Sequence, residues 1–344
     1  MGRHVSGDCP ELDRLVDEAC AEMGRELDSL CIPRLAGVVL GGGYGRGEGG
    51  VQECKVESAK CKVEGMPVAE CRLSNDLDFF AITEEGVPEA ETVAAIGEAL
   101  KPVSEKWTKK LGVDVDFAVK TPWRLRHDEE RIMVQELVRG YFDVAGKKGE
   151  GLFSGIAKVD AAKLPWMEAA RLMMNRGMGL LLAAEKLQSI VDSRHPIAEC
   201  RSSNVHSFVN RNVNKCILGA GDARLVARHA YAWGAEERAN ALGDGLYSAA
   251  VAWKFRPKAD PVCSWERARE AWLEALGEVC AAAGGGRSRS LRNAARWLVR
   301  RRSVGDLRTF ALDPVVRVLE SVALCVRDRR APERSLMRDW QVFN

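Results

Sequence analysis

From Leu35 to Leu40 the chain is an apolar run, and at Gly41 it opens into a loop made largely of glycine, Gly41-Gly42-Gly43-Tyr44-Gly45-Arg46-Gly47-Glu48-Gly49-Gly50. Few folds accommodate that junction. A short apolar run bounded by turn residues predicts a buried strand, and glycines packed behind it predict a tight loop whose backbone approaches another group closely. Two later segments alternate acids with apolar residues: Asn75-Asp76-Leu77-Asp78-Phe79-Phe80 and Val113-Asp114-Val115-Asp116-Phe117. Successive strand side chains point to opposite faces, so Asp76 and Asp78 project from one side, roughly 6.6 to 6.8 Å apart along the strand. Asp114 and Asp116 repeat the arrangement, leaving Val113, Val115 and Phe117 to face the core.

The rest of the chain supplies the frame. Leu12, Leu15, Val16, Ala19, Met23, Leu27 and Leu30 recur at helical spacing and predict an amphipathic helix over 10 to 30, ended near Pro33. Residues 51 to 74 are polar and read as an inserted hairpin or loop; Asp76 to Ile82 is the second strand. Val93, Ile96, Leu100, Val103 and Trp107 mark a helix bent at Pro102, and Val113 to Val119 is the third strand. After Gly151 strand signals fade, and helices are expected near 162 to 188, 207 to 233, 236 to 255, 264 to 283, 290 to 303 and 313 to 327. The predicted architecture is an N-terminal helix (1–32) packed on an α/β (α+β) domain with a small mixed sheet (33–150), followed by an all-α helical bundle (151–344).

Composition narrows the class. With 46% hydrophobic and 29% charged residues, 344 residues suit a soluble globular protein of about two domains. No apolar stretch approaches the roughly 20 residues that span a bilayer, and Met1-Gly2-Arg3-His4 leads into polar sequence without an apolar signal core. A cytoplasmic protein with no membrane partner is the expectation. The eleven cysteines, an odd number in a chain without a signal segment, read as reduced thiols. A formal net charge of +2 conceals a cluster, Arg287, Arg289, Arg292, Arg296, Arg300, Arg301 and Arg302. It is either a solvated helix face or a surface for phosphates or nucleic acid.

The acids carry the chemistry. Two carboxylates on one strand edge suit magnesium, which prefers oxygen ligands and commonly takes one or two carboxylates plus substrate phosphates. Four carboxylates converging without cations would repel one another, and bound metal is the simplest remedy. Two cations about 3.5 to 4 Å apart clamp the attacking and leaving oxygens of an in-line phosphoryl displacement. An acid of the third strand could also accept the proton of an attacking hydroxyl. Beside them the glycine loop offers backbone amides as an anion nest, with Arg46 placed for a charge-assisted contact. Other glycine-loop readings fit less well. Gly45, Gly47 and Gly50 satisfy G-x-G-x-x-G, yet Val51-Gln52-Glu53-Cys54-Lys55 is the wrong continuation for a dinucleotide fold, and no Gly-Lys-Ser/Thr follows to make a P-loop.

Taken in this order, Gly42-Gly43, then Asp76 and Asp78, then Asp116 or Asp114, the residues resemble the DNA polymerase beta-like nucleotidyltransferase superfamily over roughly residues 33 to 120. The resemblance implies transfer of a nucleoside monophosphate from a nucleoside triphosphate to an acceptor hydroxyl, with release of pyrophosphate. It implies magnesium, two ions or manganese in their place, held by Asp76, Asp78 and Asp116, with Gly42, Gly43, Tyr44 and Arg46 about the nucleotide. Two departures stand out: glycine at position 43 where the family often has serine, and a longer gap to Asp76, attributed to the 51–74 insertion. In the second half, Arg171-Leu172-Met173-Met174-Asn175-Arg176 on one expected helix and Asn214-Lys215-Cys216-Ile217-Leu218-Gly219-Ala220-Gly221-Asp222-Ala223 on another resemble the helical substrate-binding domains of kanamycin-type and related small nucleotidyltransferases. By that resemblance Lys215 reaches the triphosphate, while Asn175, Arg176 and Asp222 are either nucleotide-cleft residues or a buried interhelical network. The acceptor, a small molecule, a protein or an RNA, stays open, as does the oligomeric state. Two further readings remain: a catalytically silent nucleotide-binding or scaffold protein, and an RNA-modifying enzyme that uses the arginine-rich 287–302 segment.

Overall fold

The computed structural model describes residues 3–7, 9–53, 71–86, 89–192, 198–283 and 314–342. The chain divides into two compact units: Met1–Val159 together with Lys254–Pro257, and Asp160–Trp253 together with Lys258–Asn344.

The first unit is mixed α/β. It runs α1 (Pro10–Leu30), β1 (Leu35–Leu40), the single turn α2 (Gly42–Gly45), β2 (Val51–Glu53), β3 (Cys71–Leu73), β4 (Leu77–Thr83), α3 (Glu89–Leu111), β5 (Val115–Lys120), α4 (Pro122–His127), α5 (Ile132–Arg139), β6 (Phe142–Gly146) and α6 (Gly149–Leu152). Four strands form one mixed sheet in the order β5-β4-β1-β6, with β1 antiparallel to both β4 and β6 and β4 parallel to β5. The parallel pair needs a crossover, and α3 supplies it.

Strand alternation divides the side chains between two cores. Val38, Leu40, Leu77, Phe79, Ala81 and Val115 pack with Leu12, Val16, Met23 and Leu27 of α1 and with Ile96, Leu100, Val103 and Trp107 of α3. Val39, Phe80 and Ile82 pack on the other face against Leu125, Val134, Leu137, Val138 and Leu152. Asp78, between Leu77 and Phe79, therefore shares its face with Phe80 and Ile82.

Several expectations meet their outcome here. The helix over 10–30 and the three strands form, and the arms of the 51–74 insertion pair as a short antiparallel ribbon, Val51↔Leu73 to Glu53↔Cys71. Helices α4 and α5 and the edge strand β6 are additions that periodicity did not announce. The first unit also extends past 150: the amide of Gln135, fully buried on α5, donates to Ala157 O at 2.7 Å and accepts from Val159 N–H at 2.8 Å. Those bonds satisfy backbone groups of the 157–159 segment, and the boundary falls after Val159.

The second unit contains α7 (Trp166–Asp192), α8 (Ala198–Ala227), α9 (Ala235–Leu242), α10 (Gly245–Phe255, whose last two residues belong to the first unit), α11 (Trp265–Ala283), α12 (Pro314–Asp328) and α13 (Arg334–Gln341). Helix α7 packs on α8, α11 and α12. Close approach at Gly177 explains one glycine: a Cβ there would lie 2.5 Å from Val322 Cγ1 and 2.8 Å from the fully buried Trp272. The helix expected over 236–255 is two helices, because Gly243 adopts φ +64°, a left-handed cap that ends α9. The helix expected over 290–303 and the arginine cluster at 287–302 lie outside the described residues. Among the described residues no helix is long and apolar enough to cross a membrane, and the described cysteines are free thiols.

Candidate active site

The sheet brings three chain segments to one edge. Strand β1 ends where β4 begins, since Leu40 pairs with Phe79, and Gly41 N–H donates to Asp78 O at 2.8 Å. Strand β5 starts beside β4 in parallel register, so Asp78 and Asp116 are direct partners across the ladder. Neighbouring strands lie about 4.8 Å apart and partners share a face, so the two carboxylates stand side by side on the Phe80 face. Asp78 is half-buried and Asp116 exposed. Asp76 immediately precedes β4 and is half-buried, whereas Asp114 precedes β5, is exposed, and accepts the Leu77 N–H on its backbone carbonyl at 2.9 Å.

The glycine loop meets this pair at Gly42. Its φ is +59°, and a Cβ on it would lie 2.2 Å from Asp78 Oδ2. Conformation and space both demand glycine, and the approach is to the carboxylate itself. Gly43 is half-buried, and its carbonyl accepts from Glu48 N–H at 2.8 Å and Arg46 N–H at 3.2 Å, which folds the loop back on itself.

Two loop side chains have settled partners. Tyr44 turns inward and is 1% exposed. Its hydroxyl donates to Gly50 O at 2.9 Å and accepts from Ser74 N–H at 3.2 Å and Asn75 N–H at 3.4 Å. Burial pushes its phenol up to about 12, and the neighbouring Asp76 charge adds to the shift. Tyr44 thus pins the turn that delivers Asp76 and does not line a cleft. Arg46 pairs with Glu136 of α5 at 3.0 Å and with Glu48 at 3.4 Å, and Glu48, only 6% exposed, also holds Lys254 Nζ at 2.7 Å. The guanidinium is bound into a half-buried charge network centred on Glu48.

The second-unit candidates divide. Asp222 Oδ1 receives the Tyr247 hydroxyl at 2.5 Å and pairs with Arg238 Nε at 2.9 Å; Arg238, 5% exposed, further donates to the carbonyls of Ala232 and Trp233. Burial, reinforced by the Asp222 charge, raises the Tyr247 phenol strongly. Asn175 Oδ1 accepts from Trp340 Nε1 at 2.9 Å. Both side chains thus bond across helices of the second unit. Arg176 lies over Gly219, where a Cβ would come 2.3 Å from its Cγ, and Lys215 is half-buried on α8.

Sequence spacing did not reveal His4, Asp17, Glu136 or Lys254 as supports of the loop, because each acts across a long separation. The parallel bridge Val5↔Gly49 was equally hidden. Among the described residues no three His, Cys, Asp or Glu side chains are grouped as a ready-made metal cage. No known family model, curated protein or solved structure matches the chain.

Proposed function

We propose that the first unit is a metal-dependent nucleotidyltransferase domain that transfers a nucleoside monophosphate from a nucleoside triphosphate to an acceptor hydroxyl and releases pyrophosphate. The observation that carries this reading is the meeting of Gly42, Asp78 and Asp116: two carboxylates in register, with a glycine whose α-carbon closes on one of them. Like charges set side by side favour whatever cation they can share. The donor set fits magnesium, because Asp78, Asp116 and the adjacent Asp76 offer only hard oxygen ligands, and such sites leave coordination positions for substrate phosphates. When bound, magnesium supplies charge neutralisation at the reacting phosphoryl group.

In this reading Asp78 and Asp116 hold the metal and Asp76 completes the set. Asp116, exposed at the start of its strand, is also the residue that takes the proton of the acceptor hydroxyl. Gly42 and Gly43 give the triphosphate backbone contact without side-chain obstruction. Arg46 braces the loop from below through Glu136 and Glu48, and Tyr44 holds the Asn75-Asp76 turn, so both position the binding groups.

The test is titration calorimetry of the full chain with each nucleoside triphosphate and magnesium, followed by pyrophosphate release in the presence of candidate acceptors. Wild type is expected to bind at least one triphosphate in a magnesium-dependent manner, and Asp78→Asn to lose pyrophosphate release while keeping its fold by circular dichroism. Binding of none, or undiminished release by Asp78→Asn, overturns the assignment.

A further inference from the structure

The N-terminal residues 3–7 lie against the glycine loop. Gly49 N–H donates to His4 O at 3.0 Å and Ser6 N–H to Gly49 O at 2.9 Å, beside the Val5↔Gly49 bridge. The segment is anchored on α1 by Asp13, whose carboxylate accepts the backbone N–H groups of Arg3, His4 and Val5 at 2.8, 2.8 and 3.0 Å. At its centre is the His4 ring, 1% exposed.

Each ring nitrogen faces an oxygen that can only accept. Nδ1 is 3.2 Å from the backbone carbonyl of Tyr44, and Nε2 is 3.0 Å from Asp17 Oδ1. A neutral imidazole carries one N–H and one bare lone pair, so it satisfies one of these contacts and sets a lone pair against an acceptor in the other. Both bonds form together only when both nitrogens carry hydrogen. Acids stand close to the ring: Asp17 also pairs with Arg3 Nη1 at 2.9 Å and Asp13 stands on the preceding turn of α1, while the Phe142 ring meets the imidazole in a T-shaped contact with centroids 5.1 Å apart. Arg3 is the opposing cation, above the same Phe142 ring, and Cys20 is a neutral thiol whose ionisation burial and Asp17 push up to about 12.

We infer that His4 is a proton-dependent positioning residue for the glycine loop and for Asp76. Its doubly protonated ring clamps the Tyr44 carbonyl to Asp17. The Tyr44 hydroxyl, at the other end of that residue, holds the N–H groups of Ser74 and Asn75, next to Asp76. One residue therefore transmits the state of the His4 ring to both halves of the candidate site. Loss of the ring proton releases one of the two bonds, and the loop segment Tyr44–Gly49 loses a tether. The inference about the loop stands on unit geometry alone; its effect on nucleotide affinity rests on the nucleotidyltransferase reading.

The experiment follows the ring and the loop together. Full-length protein labelled with nitrogen-15 is titrated from about pH 5 to about pH 8, across the range in which histidine changes charge. The His4 ring is assigned by its absence from His4→Gln. Expected are two protonated ring nitrogens at the acid end and backbone amide shifts at Gly45, Gly47 and Gly49 that follow the ring titration; Asp17→Asn, which keeps the shape and removes the charge, is expected to move that titration to lower pH and carry the amide shifts with it. A ring held in one neutral tautomer throughout, or loop amides indifferent to its titration, overturns the inference, and Asp17→Asn decides the point should His4→Gln fail to fold. In parallel, magnesium-dependent affinity for each nucleoside triphosphate is expected to fall about tenfold across the same titration in wild type, as for loss of one charge-assisted hydrogen bond, and to stay level in His4→Gln. Ring and amides that titrate together in a protein binding no triphosphate would sink the nucleotidyltransferase reading alone; triphosphate affinity that ignores the ring would sink the coupling to the site.

Discussion

Asp78 in the first unit and Asp222 in the second sit in similar apolar stretches of sequence, yet their neighbours differ in kind. Asp78 is set beside another acid, Asp116, with the Gly42 backbone against its carboxylate. Asp222 is set against Arg238 and the Tyr247 hydroxyl, inside a network that also takes in Tyr231. An acid matched to its own buried cation is a finished structural unit, and removing the acid leaves Arg238 uncompensated. Two acids in register set like charge beside like charge, and on the proposed reading they are arranged to share a cation. On the proposed reading, the contrast separates acids that hold a fold together from acids arranged for chemistry.

The sharpest way to break that contrast is to compare the two acids of β5. Asp116→Ala is expected to lower pyrophosphate release at least about a hundredfold, on the scale of losing a group that fixes a catalytic metal, while Asp114→Ala changes it less than about threefold, as for an exposed position away from the site. Steady-state assays of both variants decide it, and equal losses would dissolve the distinction drawn from the register. The converse expectation holds for Asp222→Ala. Urea unfolding should show a loss of about 3 kcal/mol, because Arg238 stays buried without its carboxylate, and an undiminished midpoint would show that Asp222 does not hold the helices.

A third kind of acid refines the comparison. Glu320 on α12 is 7% exposed, and its Oε1 finds no hydrogen-bond partner among the described residues. Burial raises its carboxyl from the ordinary 4.5 to about 7. A raised folded-state value means that the unfolded chain gives up this proton first. The contribution to stability is then complete below about pH 4.5 and is lost as pH rises through about 7. Glu320→Gln should therefore gain stability relative to wild type between about pH 5 and pH 8, by about 1–2 kcal/mol. Unfolding curves at the two pH values test this, and a constant difference would contradict it.

Much of the first unit was legible because its elements repeat a simple period. Leu12 to Leu30 follows the helical one and Val113 to Phe117 the strand one, and both elements appear. Strand β6 escaped because Phe142-Asp143-Val144-Ala145-Gly146 is a five-residue edge strand with half-buried side chains and little alternation to read. The candidate site was legible in its acids and in Gly42, whose neighbours are local or on the next strand. It was not legible in its supports. The loop's resemblance sets Tyr44 about the nucleotide, but Ser74 and Asn75 reach its hydroxyl from some thirty residues away and the core closes over the ring. Arg46 resembles a phosphate ligand until Glu136, ninety positions later, is placed beside it. Residue type announces a capacity; the partner that uses it is set by chain topology.

The short return of Lys254–Pro257 to the first unit has a consequence for how the protein can be taken apart. The polypeptide crosses between units after Val159, after Trp253 and again after Pro257, so neither unit is one continuous stretch. Proteolysis between Val159 and Asp160 would not liberate a finished first unit. It would leave Glu48 with Arg46 but without the Lys254 ammonium, a defect that no ligand at the sheet edge repairs. Synthesis order carries the same constraint: the ribosome releases the glycine loop some two hundred residues before the lysine that completes its underside, and the loop's charge network closes only after most of the chain exists.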